Sequence, residues 1–184
     1  MKNKHAITLL FIANIISGFA QGISMLAIPW YFADILGMSS TFAKGYALLT
    51  FISLFWSLYS GTLVDRYSRK KLFLYSNLAC SILIGTAAFY GIINSHTPWI
   101  LALAVFGTTM FHYSIHYPNL YAFGQEITEK ENYGKLNSYI EIQGQSTSIF
   151  AGAFAAILLS GTENQVMNLM GINIPLPFEI IPWE

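Results

Sequence analysis

Residues 61–71 read GTLVDRYSRKK, and five of these eleven are charged in a chain that is only 10% charged overall. Roughly twenty apolar residues flank the stretch on each side, and 54% of the whole chain is hydrophobic. Soluble domains carry about a quarter charged residues, so the apolar excess here must face something other than water. The charged stretch then reads as a break between two membrane-crossing segments rather than as ordinary surface.

A helix that crosses a bilayer needs about 20 mainly apolar residues. Working outward from 61–71, five segments qualify: 6–33, 45–64, 72–93, 98–123 and 137–160. The other breaks are DILGMSSTFAK, NSHTP and GQEITEKENYGK. The first apolar run is too long for a cleaved leader and is followed by more such runs, so it reads as a retained span. Residues 161–184 are short of apolar length and interrupted by Pro175, Pro177 and Pro182, so they read as a non-spanning tail. The expected fold is all-α: a polytopic membrane bundle of five helices (residues 1–160) with a Pro-containing tail.

The basic residues set a direction, because loops rich in Lys and Arg stay in the cytoplasm. With the N-terminus inside, Lys2, Lys4, Arg66, Arg69, Lys70, Lys71, Lys130 and Lys135 are cytoplasmic and Lys44 alone is outside. Trp30, Tyr31 and Trp99 then lie at outer boundaries and Tyr67 and Tyr133 at inner ones. The tail falls outside the cytoplasm.

Nine Lys/Arg balance nine Asp/Glu, which gives no global signature for nucleic acid. One cysteine, Cys80, lies within an apolar run and allows neither a disulfide framework nor a zinc spacing. No nucleophile–base pair, phosphate-cradling loop or metal cluster is visible, so neither an enzyme nor a bound cofactor is expected.

Polar groups at membrane depth face a cavity or another helix. Asn14, Ser17, Gly18, Gln21 and Met25 share one face of the first span. Thr109, His112 and His116 follow at i, i+3 and i+7 in the fourth; two histidines at i, i+4 suit a proton relay or simple packing with a hydrogen bond. In the fifth, Glu141, Gln145, Ser148 and Gly152 are spaced four, three and four apart. Glu141 is the one carboxylate well inside a span and is a candidate proton site, since burial favours the neutral acid. Gly144, Ser148 and Gly152 form a small-residue stripe suited to close helix packing.

Gly61, Leu63, Asp65, Arg66, Arg69, Lys70 and Lys71, between spans two and three on the cytoplasmic side, resemble the signature loop of the major facilitator superfamily. Ser68 stands where that signature has a second glycine. GISMLAIPWYF and ENYGKLNSYIEIQGQ are similar to the drug- and siderophore-exporter branch; the fifth-helix antiporter pattern, Gly-Pro with paired glycines, is not cleanly present. The resemblance covers residues 6 to about 160, the first five of twelve helices. It implies the N-terminal part of a transporter that ends before helix six and works with a C-terminal half.

In such a transporter Asn14, Gln21, His112 and His116 are candidate cavity residues and Glu141 the candidate coupling carboxylate. Gly61, Asp65, Arg66, Arg69 and Lys70 would form a gating contact with the other half. The implied activity is alternating-access, proton-coupled efflux of a small amphipathic or hydrophobic solute across a bacterial inner membrane. The partners are lipid, solute, protons and the other half. The competing reading is a non-transporting remnant or membrane scaffold; a membrane enzyme would have only His112 and His116 to build on.

Overall fold

The computed structural model describes residues 4–159, and the backbone alone of 166–169 and 172–175. Five long helices dominate: α1 Lys4–Trp30, α2 Ser39–Arg66, α3 Arg69–Asn94, α4 Trp99–Glu126 and α5 Tyr133–Leu159. At 1.5 Å per residue each is about 39–42 Å long, enough to cross a hydrocarbon core of about 30 Å. A helical bundle of this kind is the expected fold class. A two-stranded antiparallel hairpin, β1 Val166–Leu169 with β2 Ile172–Pro175, adds a feature the sequence reading did not anticipate. The rest of the expected tail at 161–184, and Lys2 at the other terminus, lie outside the described residues.

Four of the helical segments are apolar enough to cross a membrane on composition: Lys4–Ile35, Ser39–Arg66, Arg69–Asn94 and Lys130–Leu159. Helix α4 matches them in length but is not among them, and it is the hub. It packs on α1, α2, α3 and α5 and buries more residues than any other helix, among them Thr109, His116 and Asn119. A helix sheathed by other helices can carry polar groups that a lipid-facing one cannot.

Helix ends differ from the apolar boundaries for physical reasons. α2 begins at Ser39, six residues before the expected start of the span at residue 45, once Gly37 turns the chain at φ +62°. Hydropathy marks where lipid begins, not where the hydrogen-bond ladder begins. Pro29 removes one backbone donor near the end of α1, and the chain continues into a wide helical turn, Tyr31–Ile35, in which Leu36 N donates to Tyr31 O at 3.0 Å. Residues 61–71 are almost wholly helical: α2 runs through Asp65 to Arg66, and only Tyr67 and Ser68 separate it from α3. Ser68 has φ −58°, so the turn does not require the glycine that it replaces.

The two ends of the bundle are held differently. At the end carrying Lys4, Arg66, Arg69 and Lys135, apolar residues Ile7, Leu10, Leu120, Leu136 and Ile140 join α1, α4 and α5. At the opposite end Phe32, Phe42 and Phe106 form an aromatic chain, with successive ring centroids 5.2 Å apart. Among the described glycines, the closest approach between two helices is at Gly22, where an added Cβ would sit 2.6 Å from the Ala151 Cβ. Gly144 and Gly152, the glycines singled out from the sequence, instead face Tyr117 of α4 and Leu26 of α1.

Candidate functional site

Helices α1, α4 and α5 leave between them a half-open cavity of about 470 Å³. Asn14, Gln21, Tyr113, His116, Tyr117, Gln143, Thr147 and Ser148 give it polar character, and Gly18, Gly22, Gly144 and Gly152 give it width. The spacing that makes it is simple. Buried Leu136, Ile140, Thr147, Ala151 and Ala155 mark the inward face of α5 at helical intervals, and small residues continue that face where α1 comes close.

A hydrogen-bonded chain crosses all three helices. His116 Nε2 lies 2.8 Å from Asn14 Oδ1, the Asn14 amide donates to Gln143 Oε1, and Gln143 Nε2 donates to Thr147 Oγ1 at 2.9 Å. Since the Asn14 nitrogen is used as a donor, its oxygen must accept, and His116 therefore carries its proton on Nε2. The chain is thus head-to-tail, from imidazole to hydroxyl. Asn14, His116 and Thr147 are 6%, 5% and 8% exposed, so these groups depend on one another rather than on bulk water. The Nδ1 atom of His116 has no partner among the described residues.

A second feature runs along the face of α4. Tyr113, Tyr117 and Tyr121 recur every four residues, with ring centroids 4.4 Å and 6.3 Å apart. The Tyr121 hydroxyl donates to Glu141 Oε1. The Tyr117 hydroxyl rests against the bare backbone of Gly144, where an added Cβ would be 2.8 Å away. The tyrosines lead from the cavity to Glu141, which is itself exposed and outside the cavity wall.

The sequence candidates fall into three groups. Asn14, Gln21, His116, Gly144, Ser148 and Gly152 line one cavity. His112 is turned away from it, into a separate crevice, with its ring centroid 5.3 Å from that of His116. Glu141 and Gln145 are exposed; the face of α5 that carries the site is rotated from the one read in the sequence. Gln143, Thr147, Tyr113 and Tyr117 were missed. The i, i+4 pair Gln143–Thr147, continued by Ala151 and Ala155, is the sequence signal that marks them.

Of the charged residues near the α2–α3 turn, Arg69 makes a defined contact. Its Nη1 donates to the Ala122 carbonyl at 2.9 Å and lies 3.4 Å from Glu126 Oε2, while Asn119 Nδ2 donates to the Arg69 carbonyl at 3.0 Å. This ties the start of α3 to the end of α4. Asp65, Arg66 and Lys70 are exposed, and Asp65 has no partner among the described residues. A Cβ on Gly61 would meet nothing within 4 Å, so no helix described here makes use of its small size. No three His, Cys, Asp or Glu side chains among the described residues come together as a metal site would require.

A sequence profile of the Major Facilitator Superfamily matches residues 10–172, which takes in nearly all of the bundle. The chain belongs to the major facilitator superfamily. Its members are membrane transport proteins, and the superfamily builds each six-helix half from two inverted three-helix repeats. The packing of α1 on α5 and of α2 on α4 suits that plan. No curated protein matches the chain, and no solved structure does.

Proposed function

We propose that this superfamily chain contributes one wall of an alternating-access path for a small amphipathic or hydrophobic solute, moved outward at the expense of a proton gradient. The observation that carries the reading is the cavity between α1, α4 and α5, where Tyr113, Tyr117 and Met25 offer apolar surface beside the His116–Asn14–Gln143–Thr147 chain. Pockets of this size lined by apolar surface and a few fixed polar groups suit small molecules. The open side of the cavity is where a second six-helix half would close it.

In this reading the N-terminus and the Asp65 end are cytoplasmic, in a bacterial inner membrane, as the basic residues direct. Exposed Asp65 meets the N-terminal end of a helix in the other half when the cytoplasmic side closes. A carboxylate so placed gains about 0.3–1 kcal/mol when exposed and up to ~2 when partly buried. Glu141, hydrogen-bonded to Tyr121, is the group that exchanges protons.

The test is efflux of a lipophilic fluorescent dye from proteoliposomes carrying the protein as expressed from its own gene, with and without a proton gradient. Gradient-dependent efflux that falls when Ser148→Leu fills the cavity supports the reading. Efflux indifferent to Ser148→Leu removes the cavity from the path.

A further inference from the structure

The walls of the cavity between α1, α4 and α5 treat a positive and a negative guest differently. Among the described residues no Lys, Arg, Asp or Glu lines it. The described lysines and arginines lie at the helix ends, so they supply no positive side chain at this depth. What the walls do offer is aromatic. Tyr113, Tyr117 and Tyr121 follow at four-residue intervals, which puts their rings on one face of α4. Tyr113 and Tyr117 line the cavity, and Tyr113, packed on Tyr117, is still 43% exposed. An aromatic ring is electronegative over its face.

The row of rings ends on a carboxylate. Glu141 accepts from the Tyr121 hydroxyl. It stands three residues before Gly144 on α5, about 4.5 Å along the axis, and Gly144 lines the cavity. Among the described carboxylates Glu141 alone lies more than two turns from a helix end.

A negative guest meets ring faces and a carboxylate of its own sign, with no positive side chain to balance them. A neutral guest gains nothing from that charge. An organic cation gains from both. Ring faces attract a cation whose centre lies within about 6 Å of the centroid, and quaternary ammonium groups are the type of ligand so held. A carboxylate at the cavity's edge supplies the counter-charge that a cation needs where water is scarce. A small metal ion suits the cavity less, since no three His, Cys, Asp or Glu side chains converge among the described residues. On the strength of the solute path described above, we propose that its solute is an amphipathic organic cation of quaternary ammonium or phosphonium character, with Tyr113 and Tyr117 receiving the charge and Glu141 as counter-ion.

Tetraphenylphosphonium and tetraphenylborate are nearly identical in size and shape and opposite in charge. Each is titrated by equilibrium dialysis against the protein as expressed from its own gene, in nanodiscs of net-neutral lipid, with empty nanodiscs subtracted. The cation should bind about tenfold more tightly than the anion, as cation–π contact and a counter-ion together imply. Tyr113→Leu and Glu141→Gln should each cut the cation's affinity by about threefold or more without weakening the anion's. Tyr113→Phe, which restores the ring, should restore the preference that Tyr113→Leu loses. Tyr113 and Glu141 are both exposed, so these changes leave the buried core alone. Equal affinities for the two ions, binding of neither, or a cation preference that survives both Tyr113→Leu and Glu141→Gln would overturn the proposal. Binding is read without a gradient, so the two readings fail separately. Efflux of a dye that falls in Ser148→Leu, beside equal binding of the two ions, keeps the path and removes the cation; cation binding without gradient-driven efflux does the reverse.

Discussion

Replacing Asn14 with alanine removes both central bonds of the chain that joins α4, α1 and α5. His116 Nε2–H loses its acceptor and Gln143 Oε1 loses its donor. Polar contacts between membrane helices average about 0.6 kcal/mol each, so the two bonds account for about 1.2 kcal/mol. A buried group left unpaired adds about 1–3 kcal/mol in a dry interior, but the half-open cavity lets water reach part of this site. The expected loss is therefore about 1–3 kcal/mol, read as a shift in equilibrium unfolding by dodecyl sulfate in mixed micelles. Asn14→Ala alone cannot separate the bond from the lost packing, so the decisive form is a double-mutant cycle with His116→Ala. Contacting partners should couple by 0.5 kcal/mol or more, whereas independent sites add within about 0.3–0.5 kcal/mol. Additive losses, or an Asn14→Ala protein as stable as the parent, would refute the view that the chain acts as a unit.

Gly22→Leu should separate α1 from α5 and cost about 1–3 kcal/mol, as overpacking does, because even a Cβ there would lie 2.6 Å from that of Ala151. Gly61→Ala should have little effect on folding, since an added Cβ would meet nothing within 4 Å; a matched pair of unfolding curves checks both. Asp65→Asn should slow transport while leaving membrane expression unchanged, and an unaltered rate would count against the gating contact. Glu141→Gln should flatten the pH dependence of dye efflux, and Tyr121→Phe, which removes the carboxylate's partner, should displace it; identical profiles in parent and variants would take Glu141 out of the coupling step.

The bundle was legible because charge and turn chemistry interrupt the apolar runs. The stretch 61–71, NSHTP and GQEITEKENYGK each fall at a junction between helices. The start of α2 was not legible: Ser39, Ser40 and Thr41 are polar yet helical, and only Gly37's left-handed backbone shows where the chain turns. The inward faces of α1 and α4 are legible in their polar spacing, which marks Asn14, Gln21 and His116. The bond between Asn14 and His116 spans 102 residues of sequence, and no local pattern encodes which polar group meets which. On α5 the eye follows the carboxylate, but Glu141 and Gln145 are exposed while Gln143 and Thr147 complete the site. Glu141 sits on the exposed side of α5, whereas Gln143 and Thr147 turn toward the other helices, where polar groups at membrane depth must find partners.

The most direct test of the central claim is dye flux through the cavity between α1, α4 and α5. Proteoliposomes holding the protein as expressed from its own gene are loaded with a lipophilic fluorescent dye and placed under a proton gradient. Gradient-driven efflux should appear, and it should fall at least tenfold in Ser148→Leu, a substitution at an exposed position that narrows the cavity without touching the buried hydrogen-bond chain; a loss that size is about 1.4 kcal/mol of transition-state stabilisation. Flux equal to that of empty liposomes, or flux that Ser148→Leu leaves unchanged, would contradict the account.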